Sequence, residues 1–444
     1  MSCNLRSLPL RSLSLSILSA SALAQGAAQN SPGQTHLHSS EPGFRLINVS
    51  LDLMAAVGGS SERTAVLEGL QGGGHDPSQR GFTLQQAELG VAGAIDPYFV
   101  GEARVTYELT PEHGETQVEL EEAFLVTQQL PYGLQVKAGH YLTEFGRVNP
   151  THAHSWHWID QPIAVTRMLG PEGLRAPGAR VAWDFTGEDH GRLLFGAQNA
   201  SGETVPSFLA SDEFYEERAI GGRMFEEQDV RSFGDMLWTG RVEFEPHLDG
   251  RTTLQLGASA AFGPNATGGD ADTVLYGADF ELRCRGEDDL APQWTLQGEL
   301  VAREFDAADQ VDENTDDGGA DDVPIPGETL KDFGGYLQLL YGFGREADGS
   351  GWAAGVRGEW VSGSGASYDS ETDSFSRADD AFRADRVRVS PLLMWAASPH
   401  TRIRLQYNYD DADHLTGDGE AHSVWIGFVT SIGTHPPHTH ATGH

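Results

Sequence analysis

The sequence has few cysteines and no long apolar run. Its two cysteines are Cys3 and Cys284, and Cys3 falls in a segment that resembles a removable signal peptide. The mature chain would then keep one cysteine and form no intramolecular disulfide, so something else must stabilise it. The longest apolar stretch is far shorter than the ~20 residues of a membrane-spanning helix, which excludes a helical membrane protein.

Positive charge is also scarce. The 444 residues contain 29 Lys+Arg and 65 Asp+Glu, giving a formal net charge of −36, and Lys137 and Lys331 are the only lysines. We therefore expect no nucleic-acid partner, because phosphate binding needs a basic face. Arginine supplies nearly all the positive charge, and its guanidinium group stays charged in any site or pore.

The two ends of the chain differ from the rest. Residues 1–24 combine Arg6 and Arg11, a short apolar stretch and the run Ser21-Ala22-Leu23-Ala24. This pattern predicts a signal peptide cleaved after Ala24; the alternative is a disordered N-terminus. Residues 25–42 are predicted to be a flexible leader, and residues 433–444 a histidine-rich tail.

Residues 43–432 alternate between apolar and polar side chains with period two. In Tyr98–Leu109, the side chains of Phe99, Val105 and Tyr107 share one face, and charged residues occupy the other. Period two places successive side chains on opposite faces of a strand. A charged face opposite an aromatic-rich apolar face is typical of a barrel with an aqueous lumen and a lipid-facing surface. A soluble β-sandwich remains the alternative.

The connections support a barrel. We predict about sixteen strands, the first at 44–57 and the last at 422–432, whose links alternate between short and long. Outer-membrane barrels have short periplasmic turns and longer external loops. The expected fold is therefore all-β: a 16-stranded antiparallel transmembrane β-barrel, closed so that no strand edge meets lipid.

Several segments resemble a known superfamily. Gly81–Leu89 (GFTLQQAEL), Glu122–Leu125 (EAFL) and residues 138–147 (AGHYLTEFGR) are similar to the porin superfamily that contains phosphate- and oligophosphate-selective porins. Phe145–Pro162 (FGRVNPTHAHSWHWIDQP) resembles a largely uncharacterised subgroup of bacterial outer-membrane proteins, sometimes labelled zinc-regulated receptors. The resemblance implies a 16-stranded, homotrimeric diffusion channel. With two lysines, the chain lacks the lysine-rich lumen of phosphate-selective members, so phosphate specificity is not carried over.

The third long loop, 143–177, is the expected constriction. In 16-stranded porins, the third loop typically folds into the lumen, where irregular backbone is allowed if it lines a water-filled cavity. The predicted constriction residues of this loop are Glu144, Arg147, Trp156, Trp158 and Asp160.

The same loop holds three histidines in the spacing H-x-H-x-x-H, His152, His154 and His157. Imidazoles at this spacing could meet at one Zn²⁺, Cu²⁺ or Ni²⁺ ion if the loop turns. The alternative is that they are polar and stacking residues that shape the constriction.

Two charged sets should face each other across the lumen. We define the arginine wall as Arg357, Arg386, Arg388, Arg402 and Arg404. We define the acidic wall as Glu88, Glu102, Glu108, Glu119 and Glu121. Separated walls of opposite sign would set ion selectivity, whereas mutual salt bridges would merely fill the lumen; both interpretations stay open.

Two further groups could bind divalent metal. The tail carries His435, His438, His440 and His444, and histidine-rich tracts can capture metal ions. Clustered carboxylates in Asp306–Asp321 and residues 369–385 could hold Ca²⁺ loosely, although no EF-hand spacing is complete. No cofactor is expected to be required, and Zn²⁺ or Ca²⁺ are the candidate ions.

The sequence thus predicts a porin in the bacterial outer membrane, which admits small hydrophilic solutes or ions. Outer-membrane lipid, such solutes and a homotrimer are the expected partners. A metal-related channel or receptor is the alternative. An outer-membrane enzyme is disfavoured, because Gly363-Ser364-Gly365 is too short for a Gly-x-Ser-x-Gly nucleophile motif.

Overall fold

The computed structural model describes residues 47–109, 116–187, 189–228, 230–288, 290–313 and 322–433. The predicted signal peptide, the predicted leader and the four histidines of the predicted tail lie outside these residues. All statements below concern the described part of the chain.

Sixteen antiparallel strands form one closed barrel in which each strand pairs with its neighbours in sequence. Strand β16 closes the barrel on β1, in a register from Ser50 opposite Gly433 to Ser60 opposite Ser423. The predicted all-β, 16-stranded architecture is confirmed, and the predicted strand start at residue 44 lies outside the described residues. The strands are β1 Ile47–Ser60, β2 Gly81–Ala94, β3 Phe99–Leu109, β4 Thr116–Thr127, β5 Leu134–Leu142, β6 Arg175–Thr186, β7 His190–Asn199, β8 Met236–Glu245, β9 Thr252–Pro264, β10 Asp272–Cys284, β11 Gln293–Ala307, β12 Glu328–Phe343, β13 Gly351–Ser364, β14 Arg386–Ser398, β15 Thr401–Ala412 and β16 Glu420–Gly433.

The links alternate between the two ends of the barrel. The short links, such as 95–98 and 399–400, share one end with the first and last strand residues, and the long links share the other. Three short helices lie in long links: α1 Thr64–Leu70, α2 Ile163–Leu169 and α3 Asp212–Arg218. Two small hairpins, Gln310–Asp312 with Val323–Ile325 and Tyr368–Asp369 with Ser374–Phe375, lie in two others. Within the described residues, no helix is both long and apolar enough to cross a membrane.

Apolar side chains cover the outside of the barrel. On β15, Leu405 is exposed, whereas the neighbouring Arg404 and Gln406 are fully buried. Large aromatic residues near the short-link end are also exposed on the outer surface: Trp183, Trp294, Trp352 and Trp395. An apolar belt with an aromatic girdle is the surface that a lipid bilayer requires, and it follows directly from the period-two pattern.

Two β-bulges change which residues point inward. In β2 the register shifts so that Gln85 is the extra residue opposite β1, and Gln85 and Gln86 are both buried. In β4 the extra residue is Glu121, and Glu121 and Glu122 are both buried. A bulge inserts one unpaired residue and redirects a side chain. The bulge in β4 therefore sends two consecutive carboxylates into the lumen.

Part of the lumen is packed with apolar side chains. Residues of the third loop contribute Phe145, Val148 and most of α2, and the link between β7 and β8 contributes Val205, Phe208 and Leu209. These side chains pack against inward-facing residues of the surrounding strands, Ala176, Leu237, Ala261, Leu275, Val301, Tyr336 and Val361. The interior is thus less aqueous than the sequence led us to expect, because these inward positions are apolar rather than charged.

Candidate pore constriction and its charged walls

The two ends of the third loop, residues 143–174, are hydrogen-bonded to each other. The Thr143 N–H donates to the Leu174 carbonyl at 2.9 Å. The Asn149 amide donates to the carbonyls of Thr143 and Leu174 at 2.8 and 3.0 Å, and its oxygen accepts the Leu174 N–H at 2.7 Å. Buried backbone groups need such partners. Asn149 thus holds the two ends of the loop together. The rest of the loop contacts inward-facing side chains of several strands.

The first turn of the loop rests on β9 and β11. Gly146 has φ +63°, and its N–H donates to the Ser259 hydroxyl at 3.1 Å. The backbone N–H groups of Arg147 and Val148 donate to the Glu299 carboxylate at 3.3 and 3.4 Å. A side chain at position 146 would collide with that carboxylate. Glycine is therefore required here by both the backbone angle and the space.

The histidine segment contacts the acidic side of the lumen. His152 Nε2 lies 3.0 Å from Glu122 Oε2, and its Nδ1 lies 3.2 Å from Glu121 Oε1 and 3.7 Å from Glu88 Oε2. His154 Nδ1 lies 3.0 Å from the same Glu88 oxygen. The two imidazole rings are stacked, with centroids 5.7 Å apart. Two loop histidines therefore meet three carboxylates of β2 and β4.

Opposing effects act on the pKa of His152. Burial and the nearby Arg104 charge lower this pKa, but Glu121 and Glu88 outweigh them, and the pKa is raised to about 10. With no other cation present, the imidazole would carry a proton at neutral pH.

His157 lies in a different environment from the other two histidines. Burial, followed by the charges of Arg402, Arg283 and Arg404, lowers the pKa of His157 to about 3. Among the described residues, His157 belongs to none of the groups whose His, Asp or Glu atoms are close enough to share an ion. The loop therefore does not bring the three histidines to one metal, because the backbone between residues 154 and 157 crosses from the acidic side to the arginine wall.

The backbone of the loop also binds the arginine wall. Arg404 donates to the carbonyls of Trp158 and Trp156 at 2.8 and 3.2 Å, and Arg402 donates to the His154 carbonyl. Trp158 is buried, and its indole N–H donates to the Ser390 carbonyl at 2.9 Å. The Trp156 indole instead bonds within the loop, to Thr151. These bonds hold the segment 154–158 against β14 and β15.

Asp160 is the most completely paired side chain of the loop. Its carboxylate accepts from Arg357, from Arg388 at 3.0 Å, and from Gln406 and Asn408 at 2.8 Å each. Burial raises the pKa of Asp160, but the two arginines outweigh burial and hold the pKa well below its usual value. Asp160 therefore carries a full negative charge into the arginine wall.

The arginines of this wall pair mainly with carboxylates on the same or neighbouring strands or with backbone carbonyls of neighbouring loops. Arg386 and Arg388 bind Asp410 at 2.7 and 2.8 Å, and both donate to the Leu70 carbonyl. Arg357 also binds Glu359 at 2.7 Å. Three carboxylates thus pair with three of the five wall arginines, whereas Arg402 and Arg404 bind backbone carbonyls. The wall is partly salt-bridged rather than an open basic surface.

On the acidic wall, Glu102 binds Arg104 at 2.7 Å and Glu119 binds Arg175. Glu108 lies nearer the long-link end, where its Oε1 is 2.8 Å from His75 Nδ1. The geometry therefore separates Glu108 from the cluster around His152. Sequence reasoning missed Glu122, Glu299 and Asp410, because a bulge and cross-strand register cannot be seen in a single strand pattern.

A cavity with both charged and apolar side chains in its lining remains beside the first turn of the loop. Its volume is about 80 Å³, and it lies between residues 144–151 and strands β7–β9. Glu144, which binds Arg180 at 3.0 Å, and Arg147, whose NH2 atom lies 2.7 Å from Gln255 Oε1, face this region. The other charged lining residues are Arg192, Arg241, Glu243 and Glu245. The cavity thus presents both signs of charge.

No protein-family model matches the chain. An uncharacterized protein of Aquifex aeolicus is 39% identical over 140 residues, which are 31% of this chain and 28% of that protein. The match therefore spans less than a third of either protein.

Several solved barrels are similar in shape. OmpT of Vibrio cholerae, in its trimer form, has a TM-score of 0.49 at 10% identity and covers 88% of this chain and 100% of its own. The channel DcaP of Acinetobacter baumannii has a TM-score of 0.49 at 9% identity, covering 87% and 97%. An anion-selective porin from Comamonas acidovorans has a TM-score of 0.48 at 9% identity, covering 88% and 100%. The fold assignment rests on the strand pairing of the chain itself.

Proposed function

We propose that the protein is an outer-membrane porin, a narrow passive channel for small hydrophilic solutes or ions rather than an enzyme. The observation that carries this proposal is a closed 16-stranded barrel with an apolar exterior and a charged interior crossed by its third loop. A closed barrel satisfies its backbone in lipid, and a charged lumen serves no purpose in a soluble sandwich.

The route of a solute would follow the cavity between the loop and β7–β9. Other parts of the lumen are filled by α2 and the apolar cluster, and Arg357 and Arg388 are paired with Asp160. Glu144, Arg147, Arg192 and Arg241 near the cavity would contact a passing solute. Because charges of both signs line it, we expect weak ion selectivity.

Conductance measurement tests this function. Purified, heat-modifiable protein inserted into a planar bilayer should give discrete, small current steps, since the loop narrows the lumen. Protein that is shown to be folded and inserted, yet gives no current, would overturn the channel proposal. Replacing Arg192 and Arg241 with Gln should shift selectivity towards cations.

The location and assembly are part of the same proposal. The predicted signal peptide would direct export, and the apolar belt would place the barrel in the outer membrane. Membrane fractionation should find the protein in the outer-membrane fraction. The homotrimer implied by the porin resemblance predicts a mass of three chains in native gels and after chemical cross-linking.

A further inference from the structure

We propose that Glu88, Glu121 and His152 form a binding site for a divalent transition-metal ion of the Zn²⁺ class. One ligand atom from each of these residues lies within 4.8 Å of the others, and all three side chains are buried. Imidazole and carboxylate ligands in this combination suit Zn²⁺ and Co²⁺. The site does not depend on the channel function proposed above.

The distances between the candidate ligand atoms are compatible with a shared metal ion. His152 Nδ1 lies 3.2 Å from Glu121 Oε1 and 3.7 Å from Glu88 Oε2. Two ligands bound tetrahedrally at about 2.0–2.1 Å from a metal are about 3.3 Å apart. His154 Nδ1 is hydrogen-bonded to the same Glu88 oxygen at 3.0 Å and belongs to a neighbouring group with Asp52.

The other nitrogen of His152 has the partner that metal-bound histidines usually have. Its Nε2 lies 3.0 Å from Glu122 Oε2, and Glu122 Oε1 is held by the Leu142 N–H at 2.9 Å. A carboxylate that accepts this N–H fixes the tautomer and directs the lone pair of the other nitrogen towards the metal. Here Nδ1 faces Glu121 and Glu88, and it would lose its proton on binding a metal ion.

Glu121 provides an independent observation. Its side chain is 3% exposed, and its Oε2 atom has no hydrogen-bond partner among the described residues. A buried carboxylate oxygen without a partner is costly. Glu121 occupies this position because it is the extra residue of the β4 bulge, and bulges are frequent beside functional sites. A bound cation would satisfy the oxygen.

Neighbouring charges leave the site available. Arg104 binds Glu88 through Oε1, whereas Glu88 Oε2 faces the histidines and also accepts from the Gln86 amide at 3.1 Å. Lys137 Nζ, 3.8 Å from Glu122, supports the carboxylate behind His152, and Arg175 NH1 is 3.8 Å from Glu121 Oε1. A protonated His152 would provide one positive charge at this place, and a metal ion would provide two.

A second group of histidine and glutamate side chains, around His75, differs from the proposed site. His75 Nδ1 lies 2.8 Å from Glu108, and its Nε2 lies 3.4 Å from Glu172. This group also brings three ligand atoms together, but it is only partly buried, because Glu108 and Glu172 are partly exposed. We therefore assign His75 as a polar bridge between β3 and the third loop and not as the metal site.

A metal ion at the proposed site would join the third loop to β2 and β4. Two ligands would come from the strands and one from the loop, so binding would cross-link the constriction to the barrel. Metal binding adds its free energy to the stability of the folded protein.

Titration with Co²⁺ tests the site. The folded, detergent-solubilised protein is first treated with a chelator, and visible absorption and calorimetry are then followed. We expect one Co²⁺ per chain with the intense absorption of a tetrahedral ion, and displacement by Zn²⁺. Glu121→Gln and His152→Asn should each weaken binding roughly tenfold or more, and Glu122→Gln by about 10- to 100-fold, because Glu122 supports a ligand.

Two controls separate this site from the others. Glu304→Gln changes a carboxylate of β11 that pairs with Lys331 and contacts neither loop histidine, and it should leave binding unchanged. Removal of residues 434–444 should also leave one tetrahedral Co²⁺ bound. The proposal is overturned if folded wild-type protein binds no Co²⁺, if binding disappears with the tail, or if folded Glu121→Gln binds as tightly as the wild type.

Discussion

The third loop contacts two charged surfaces of the lumen, and the two contacts differ in kind. At the arginine wall, Asp160 accepts from five side chains, two arginines and three amides, and Arg402 and Arg404 bind loop carbonyls. At the acidic side, two histidines face three carboxylates, and Glu121 Oε2 has no hydrogen-bond partner among the described residues.

The difference shows which contact fixes the loop and which contact can bind a further group. A buried charge that is fully paired is structural, because removing one partner leaves the other charges uncompensated. A cluster with a surplus of buried acceptors can take up a cation. We therefore expect the arginine side to determine the stability of the loop and the acidic side to respond to metal.

The largest effect should come from Asp160→Asn. The substitution leaves Arg357 and Arg388 buried with one fewer carboxylate, and breaking a buried ion pair typically costs about 3–5 kcal/mol. We expect a lower temperature of heat modification and larger, noisier current steps, because the loop would no longer be held at the arginine wall.

Asp379→Asn provides the control, since Asp379 is exposed in a long link. It should change neither the transition temperature nor the current. If Asp160→Asn behaves like this control, the arginine wall does not hold the loop.

A smaller effect is expected for Glu122→Gln in metal-free protein. The amide keeps the shape and can still accept the Leu142 N–H, but it loses charged contacts with His152 and Lys137. Loss of such charge-assisted bonds costs about 1–3 kcal/mol. Heat modification of both variants side by side would rank the two contacts, and a larger loss for Glu122→Gln would reverse our comparison.

The smallest expected effect is the contribution of His157 to the loss of folding stability at acidic pH. Its pKa in the folded protein is about 3, against about 6.5 in an unfolded chain. Between about pH 6.5 and 3, His157 is protonated in the unfolded chain but neutral in the folded protein. The stability that this difference provides above about pH 6.5 is therefore lost as the pH falls towards 3. Because the side chain is only partly buried, we expect a loss of about 1 kcal/mol.

Comparison with His157→Gln isolates this contribution from the many carboxylates that also titrate. Transition temperatures of both proteins at pH 7.5 and 4.5 should show a larger acid-induced drop in the wild type. Equal drops in the two proteins would show that His157 does not face the arginines.

The barrel was predictable because each strand shows the same alternation of apolar and polar side chains. The alternation of Phe99, Val105 and Tyr107 with charged residues identifies β3 without any knowledge of its neighbours. The charged pairs were not predictable, since the bond between Arg388 and Asp160 joins residues that are 228 positions apart. The bulge at Glu121 was hidden too, because a single extra residue leaves no mark in the sequence pattern.

The loop was predicted as the constriction, but its internal geometry was not. The spacing of His152, His154 and His157 gives no information about the turn that carries the chain from one wall to the other. That turn depends on carbonyl contacts with Arg402 and Arg404, which no side-chain pattern reveals.

Disulfide trapping tests most directly whether the third loop crosses the lumen. A Cβ at Gly427 on β16 would lie 2.9 Å from Ile159 of the loop, so Ile159→Cys with Gly427→Cys, in a Cys284→Ser background, should cross-link on mild oxidation. Thr401→Cys with Thr430→Cys, on paired strands, is the positive control. We predict that both pairs form a bond; a control that cross-links while the loop pair stays reduced would contradict the account.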